Sequence, residues 1–190
     1  VPAYYSLTET EEAVGRRLGS IPIRREALAA VSNLHRAATA VRQHLENSAL
    51  RVADLTWSAF VVLWVVWIWE EIETRHVAAE AGISKGTLTG IIKTLESRGL
   101  AIRSQHPDDG RLALLRLTPE GVALMEKLFP AFNDEEAFVV ADLDAEEALT
   151  LAESLRRIVT HLEEHGEARR AKLRKENPAP PRRGGRRRAE

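Results

Sequence analysis

Residues 74–118 read TRHVAAEAGISKGTLTGIIKTLESRGLAIRSQHPDDGRLALLRLT, and the order of signals in this stretch decides the fold. A helix through Val77, Ala78 and Ala81 ends at Gly82, which makes a tight turn. A second helix opens at Ser84, whose hydroxyl is placed to accept from the backbone N–H of Gly86 or Thr87. It stops at Gly99, a residue that tolerates the left-handed conformation past a helix end, with Leu100 set to close a hydrophobic contact. Leu88, Ile92 and Leu95, with Ile91 beside them, form one apolar stripe. Gly86, Thr89, Gly90, Lys93 and Ser97 fall on the opposite face, flanked by Thr87 and Thr94. Each glycine inside a helix costs roughly 1 kcal/mol against alanine, so a bare surface is expected to serve a purpose there. Seating in a DNA major groove is one such purpose. Two strands joined by a charged turn follow, and the whole reads as a winged helix-turn-helix.

The flanks read as helices. Thr8 or Thr10 is placed to cap a short helix ending at Gly19, and Pro22 suits the first turn of the next. That next helix, roughly 23–49, spaces Leu28, Val31, Leu34 or His35, Ala38, Val41 and Leu45 by threes and fours, a long seam for packing. Asp54 and Thr56 start a helix through Trp57, Phe60, Leu63, Trp64 and Trp67, and Ile72 to Thr74 suits a short strand. After the wing, Thr118-Pro119-Glu120 is a helix start, followed by an apolar line of Val122, Met125, Phe129 and Phe132 that Pro130 bends or ends. A last helix begins near Asp144 and carries Leu149, Ala152, Leu155, Ile158 or Val159, and Leu162. The organisation is thus a mainly α chain with a small β wing. It comprises an extension (1–21), a dimerisation helix (22–54), the winged module (55–118), C-terminal dimerisation helices (119–166) and a basic tail (167–190) too polar to fold. Seams at both ends of the chain lead us to expect a homodimer, which sets two recognition helices about one DNA turn apart on a palindromic operator.

Composition sharpens this reading. Cysteine is absent, which excludes disulfides, thiol sensing and cysteine-ligated zinc. The apolar run from Phe60 to Trp69 is about half a membrane span, so we expect a buried helix, no membrane association and a soluble cytoplasmic protein. The formal net charge of −1 hides a segregation by segment: residues 167–190 carry ten Lys/Arg against three Glu, and residues 73–118 carry seven basic against five acidic. A mildly positive reading module inside an acidic body is compatible with DNA, because phosphate neutralisation is local.

The chain resembles the MarR (multiple antibiotic resistance regulator) transcription factors from about Ile23 to His165. Three pieces in fixed order carry the resemblance: LTWSAFVVLW at 55–64, AGISKGTLTGIIKTLESRGL at 81–100 and HPDDGRLALLRLTPEG at 106–121. The resemblance implies a dimer of winged modules, mostly repressors released by small aromatic or anionic ligands. It also implies a wing in which Asp109-Gly110-Arg111 precedes a strand ending in Leu-Thr. The chain departs from the family pattern at Ile68 to Thr74, where Trp-Glu-Glu stands in place of a short glycine-containing turn, and in both terminal extensions.

Candidate DNA-contacting residues follow. Ser84 and Lys85 lie at a helix N-terminus that attracts phosphate, and Thr87, Thr89 and Lys93 can reach bases or phosphates. Arg111 suits a narrow minor groove, with Asp109 holding it in position rather than touching DNA; the alternative is a solvated turn charge. Arg103, Arg98 and His106 are candidates for backbone contacts. Among the tryptophans, Trp57, Trp64 and Trp67 share a face, either as core or with Trp64 and Trp67 forming an effector pocket beside His35 and Arg42. His161 and His165 have zinc-ligand spacing but no further ligands nearby, so an exposed helix face is expected and no metal or other cofactor is assigned. No catalytic constellation stands out. A DNA-binding regulator that is not an enzyme is the leading reading; a protein-recruiting winged helix and a metal-responsive regulator are the alternatives.

Overall fold

A computed structural model describes residues 5–107 and 109–178. The described chain divides into two units, one through Glu136 and one from Ala137 onward. The first holds α1 (Leu7–Leu18), α2 (Arg25–Asn47), α3 (Ala49–Val52), α4 (Trp57–Trp69), β1 (Glu71–Glu73), α5 (Thr74–Glu80), α6 (Lys85–Ser97), β2 (Ala101–Gln105) and β3 (Ala113–Leu117). α7 (Pro119–Val139) runs from the first unit into the second, which also holds α8 (Ala145–Glu176).

The core of the first unit is built around α4. Phe60, Val62, Leu63, Val65 and Val66 are all buried, so this helix is covered on nearly every side. That accounts for the long apolar run without a membrane; among the described residues, no single helix is long and apolar enough to cross one. Thr56 caps α4 by accepting from the Ala59 N–H at 3.2 Å. Phe60 stacks on Phe132 of α7 at 4.2 Å between ring centroids, and Trp64 stacks on Phe129 at 4.8 Å. At the far end of α2, His44 Nε2 lies 2.6 Å from Glu135 Oε2 and ties that helix to α7.

The sheet is three-stranded and antiparallel, in the order β1-β3-β2. Ile72 pairs with Leu115 and Arg103 pairs with Leu115 from the other side, so the fully buried Leu115 anchors the central strand. The root of the wing is locked to α7. Thr118 Oγ1 donates to the Gly99 carbonyl at 2.6 Å and accepts from the Gly121 N–H at 3.0 Å. Gly121 itself is required by close approach: a Cβ there would stand 2.0 Å from the Leu100 carbonyl oxygen.

Several sequence expectations are corrected. Ser6, not Thr8 or Thr10, caps α1 through a reciprocal box with Glu9. Pro22 precedes the next helix, which starts at Arg25 without a side-chain cap. Helix 23–49 breaks at Ser48, and the short α3 follows it. Pro130 does not end α7, since Leu128 and Phe132 on either side of it are buried and hold the helix together. The basic segment does not lose structure at Glu167: α8 continues to Glu176. Glu167 accompanies the continuation, accepting from Arg170 at 3.1 Å one turn on and from Arg174 at 2.6 Å two turns on. Those same contacts hold its carboxyl below the usual carboxylate range. Residues 179–190, the arginine-rich end of the expected tail, lie outside the described residues, as does Asp108.

Candidate nucleic-acid interface

α6 presents its bare face as the sequence suggested. Ser84 caps it, accepting from the Thr87 N–H at 3.1 Å, and Leu88, Ile92 and Leu95 are buried beneath. Gly99, at φ +68°, turns the chain into β2. Lys85, Gly86, Thr87, Thr89, Gly90, Lys93, Thr94 and Ser97 are all exposed. The two glycines have no internal reason to be small: a Cβ at Gly90 meets nothing within 4 Å, and one at Gly86 meets only the Ser84 Oγ at 3.9 Å. Thr89 Oγ1 donates to the Lys85 carbonyl at 2.8 Å and Thr87 Oγ1 is 2.8 Å from Ser84 Oγ, so both hydroxyls are oriented by their own helix. Lys93 has no hydrogen-bond or ion-pair partner among the described residues.

Between α5, α6 and the wing lies a cleft of about 450 Å³. Arg75, Lys85, Arg103 and Arg111 line it with a single carboxylate, Glu73, leaving a cationic hollow beside the recognition helix. Arg111 stands at the wing tip with its side chain 93% exposed, and Asp109 Oδ1 accepts both its backbone N–H at 3.0 Å and its Nε at 3.3 Å. Asp109 thus contacts both the backbone and the guanidinium of Arg111. Arg103 is steadied by Glu96 at 3.4 Å. Arg75, paired with Glu73 at 2.8 Å, belongs to the same rim and was missed by the sequence reading. Its signal was available: a basic residue in the first turn of the helix that precedes the recognition helix. Arg98 departs from expectation. Its guanidinium donates to the Asp54 and Ala53 carbonyls at 2.6 and 2.9 Å, bracing the loop in which Asp54 holds φ +51°.

Among the described residues, the proposed effector residues line none of the principal cavities. Trp64 and Trp67 pack edge-to-face at 5.8 Å and both lie against Phe129, partly buried against the core. Arg42 pairs with Glu46 at 3.7 Å along its own helix, and His35 is exposed. On α8 the His161 and His165 rings lie 4.9 Å apart, but no group of three His, Cys, Asp or Glu among the described residues could hold a metal ion.

Comparison with known proteins gives this arrangement its family. The MarR family model matches residues 55–112. YwaE of Bacillus subtilis, an uncharacterised HTH-type transcriptional regulator, is 34% identical over 137 residues, covering 72% of this chain and 80% of that protein. The chain belongs to the MarR family of transcriptional regulators. BpsR of Bordetella bronchiseptica superposes on this MarR-family chain with a TM-score of 0.64 at 26% identity, covering 69% of it and 98% of BpsR. A mutant MarR from E. coli complexed with operator DNA shares the fold, with a TM-score of 0.64 at 24% identity over 70% of this chain and 95% of that one.

Proposed function

We propose that the chain acts as a homodimeric repressor that binds an inverted-repeat operator and leaves it when a small aromatic or anionic molecule binds. The observation that carries the DNA reading is the continuity of surface: the exposed α6 face, the cationic cleft and the outstretched Arg111 form one rim with no buried function of their own. α6 enters the major groove, where Thr87 and Thr89 meet base edges and Ser84, Lys85 and Lys93 meet phosphates. Arg111 enters the adjacent minor groove, and Asp109 keeps it extended. Arg75 and Arg103 add sequence-independent backbone contacts.

Dimerisation is supported by apolar surface that one chain leaves uncovered. Val31 on α2 is 65% exposed, and on α8 Leu149, Val159 and Leu162 are each more than half exposed. Release by a ligand is supported by analogy with BpsR, whose DNA binding is regulated by 6-hydroxynicotinic acid. The test is gel-shift of the full chain on its own upstream region and on a scrambled duplex, with and without a panel of aromatic acids. A retarded complex with the first duplex alone, dissolved by at least one acid, is the expected result. Equal affinity for both duplexes sinks the operator reading and favours a protein-recruiting role.

A further inference from the structure

α2 meets the winged module, α4 through β3, at an elbow formed by α3 and residues 53–56. α3 and α6 end in the same way. At α3 the Leu55 N–H donates to the Leu50 carbonyl at 3.0 Å and the Asp54 N–H to the Arg51 carbonyl at 3.2 Å, with Asp54 at φ +51°. At α6 the Leu100 N–H donates to the Leu95 carbonyl at 2.9 Å and the Gly99 N–H to the Glu96 carbonyl at 3.0 Å, with Gly99 at φ +68°. In each, a left-handed residue closes the helix over a pair of buried leucines, Leu50 with Leu55 and Leu95 with Leu100.

Arg98 joins the two helix ends. Its two terminal guanidinium nitrogens donate to the Asp54 and Ala53 carbonyls at 2.6 and 2.9 Å, one planar fork on two successive peptide groups. On the other side of the elbow, Glu46 of α2 accepts from the Trp57 N–H at 2.8 Å. That N–H belongs to the first turn of α4, where the helix itself offers no partner. Within the module α6 is seated by Leu88, Ile92 and Leu95, all buried, so the fork is not what holds the recognition helix in place. Apolar burial is non-directional, whereas a two-pronged hydrogen bond fixes an angle. What Arg98 adds is the angle between the module and the elbow that leads to α2.

We propose that Arg98 is a positioning residue for operator binding: it locks the winged module to the α3–α4 elbow and so sets the half-site spacing that a dimer accepts. The proposal rests on the reading of the chain as a dimeric operator binder. Arg98 itself touches no DNA. A rotation of about 5° about the elbow moves the Thr87 end of α6, about 16 Å along the helix from Arg98, by roughly 1.5 Å. In a dimer that displacement occurs in both copies and changes the separation of two recognition helices that must match half-sites one DNA turn apart. A single module on one half-site simply follows its own site. The signature is therefore a loss on two half-sites and none on one.

Fluorescence anisotropy of the full chain tests it on the operator footprinted in its own upstream region. The same operator with its half-sites moved one base pair apart or together, one half-site alone and a scrambled duplex complete the set. Arg98→Ala removes the fork, and Arg98→Lys keeps the charge without the planar pair of donors. Lys93→Ala marks what the loss of a phosphate contact does to the salt slope. Circular dichroism checks folding, and Arg98→Lys carries the test where Arg98→Ala does not fold. The expected result for Arg98→Ala is a ten-fold or greater loss on the native operator and a preference for native over shifted spacing that shrinks at least five-fold. Half-site affinity and salt slope stay at wild-type values, and Arg98→Lys moves in the same direction. Half-site affinity lost in step with the operator's, or a salt slope made shallower as in Lys93→Ala, overturns it. A wild-type chain that binds the operator no better than the scrambled duplex overturns the operator reading and this proposal with it. Wild-type discrimination with an unchanged spacing preference in the Arg98 variants overturns this proposal alone.

Discussion

Arg111 and Lys93 are cations whose positions the fold itself does not explain. The Arg111–Asp109 pair is exposed and contributes little to stability, and Lys93 has no partner among the described residues. Truncating either should therefore read out on DNA and not on folding. Lys93→Ala should weaken binding to all duplexes and make the salt dependence shallower by roughly 0.9 in log–log slope, because one phosphate fewer is neutralised. Arg111→Ala should cost about 1–3 kcal/mol on the operator and relax the preference for A·T pairs beside each half-site. Fluorescence anisotropy across a salt series and a set of flanking sequences separates the two, and unchanged operator affinity for the Arg111 variant would remove the wing from the interface. Gly121 is the opposite kind of residue, wholly structural. A Cβ 2.0 Å from a backbone carbonyl cannot be accommodated by a side-chain shift. Gly121→Ala should lower stability by about 1–3 kcal/mol, seen as a reduced Tm, because α7 must move away from the wing root. An unchanged Tm would mean that α7 does not pack this closely.

At the scale of elements, α6 sets stability against function. Gly86 and Gly90 sit in open space, so alanine at either should stabilise the helix by up to about 1 kcal/mol. If the bare face seats in a groove, Gly90→Ala should also weaken operator binding. A raised Tm with undiminished affinity would show that nothing approaches the helix at that point. This element was legible in the sequence because its signals are local: a capping serine, an apolar stripe at three and four, a glycine stop. The Asp109–Arg111 device was legible for the same reason, being two residues apart in one turn. What escaped the sequence depends on distance along the chain. Arg98 looked like a free cation but donates to carbonyls 44 and 45 residues away. Trp64 and Trp67 read either as core or as the wall of an effector pocket, and what the sequence did not show was Phe129 of α7, which packs against both. The extent of α8 was misjudged because hydrophobicity was used as the measure of order, whereas the helix there carries the charge pairs of Glu167 with Arg170 and Arg174. Glu70 illustrates a departure that was visible but not interpretable: within the Trp-Glu-Glu link it holds φ +61°, a conformation disfavoured for any side chain. Glu70→Gly should raise Tm modestly, since relief of roughly 1–3 kcal/mol of strain exceeds the added unfolded-state entropy of about 0.5–1 kcal/mol.

For the molecule as a whole, the central question is how a chain with a formal charge of −1 holds a polyanion. The cationic cleft answers locally, but one cleft with one α6 reads only a half-site, and each half-site alone holds only part of the contacts. On the proposed dimer, affinity rests on joining two copies, and apolar surface available for it is exposed at Val31 in the first unit and along α8 in the second. Both surfaces are far in sequence from the reading module, so dimerisation and DNA contact should be separable by mutation. Val31→Glu and Leu155→Glu should each give folded monomers by sedimentation velocity, with native helix content and operator affinity reduced at least ten-fold. The salt slope should fall to about half as well, because a monomer neutralises half the phosphates. A charge at Val31 that leaves the dimer intact while Leu155→Glu dissolves it would confine the interface to α8. Intact dimers in both variants would place it on neither surface, and the exposed apolar residues would then need another partner.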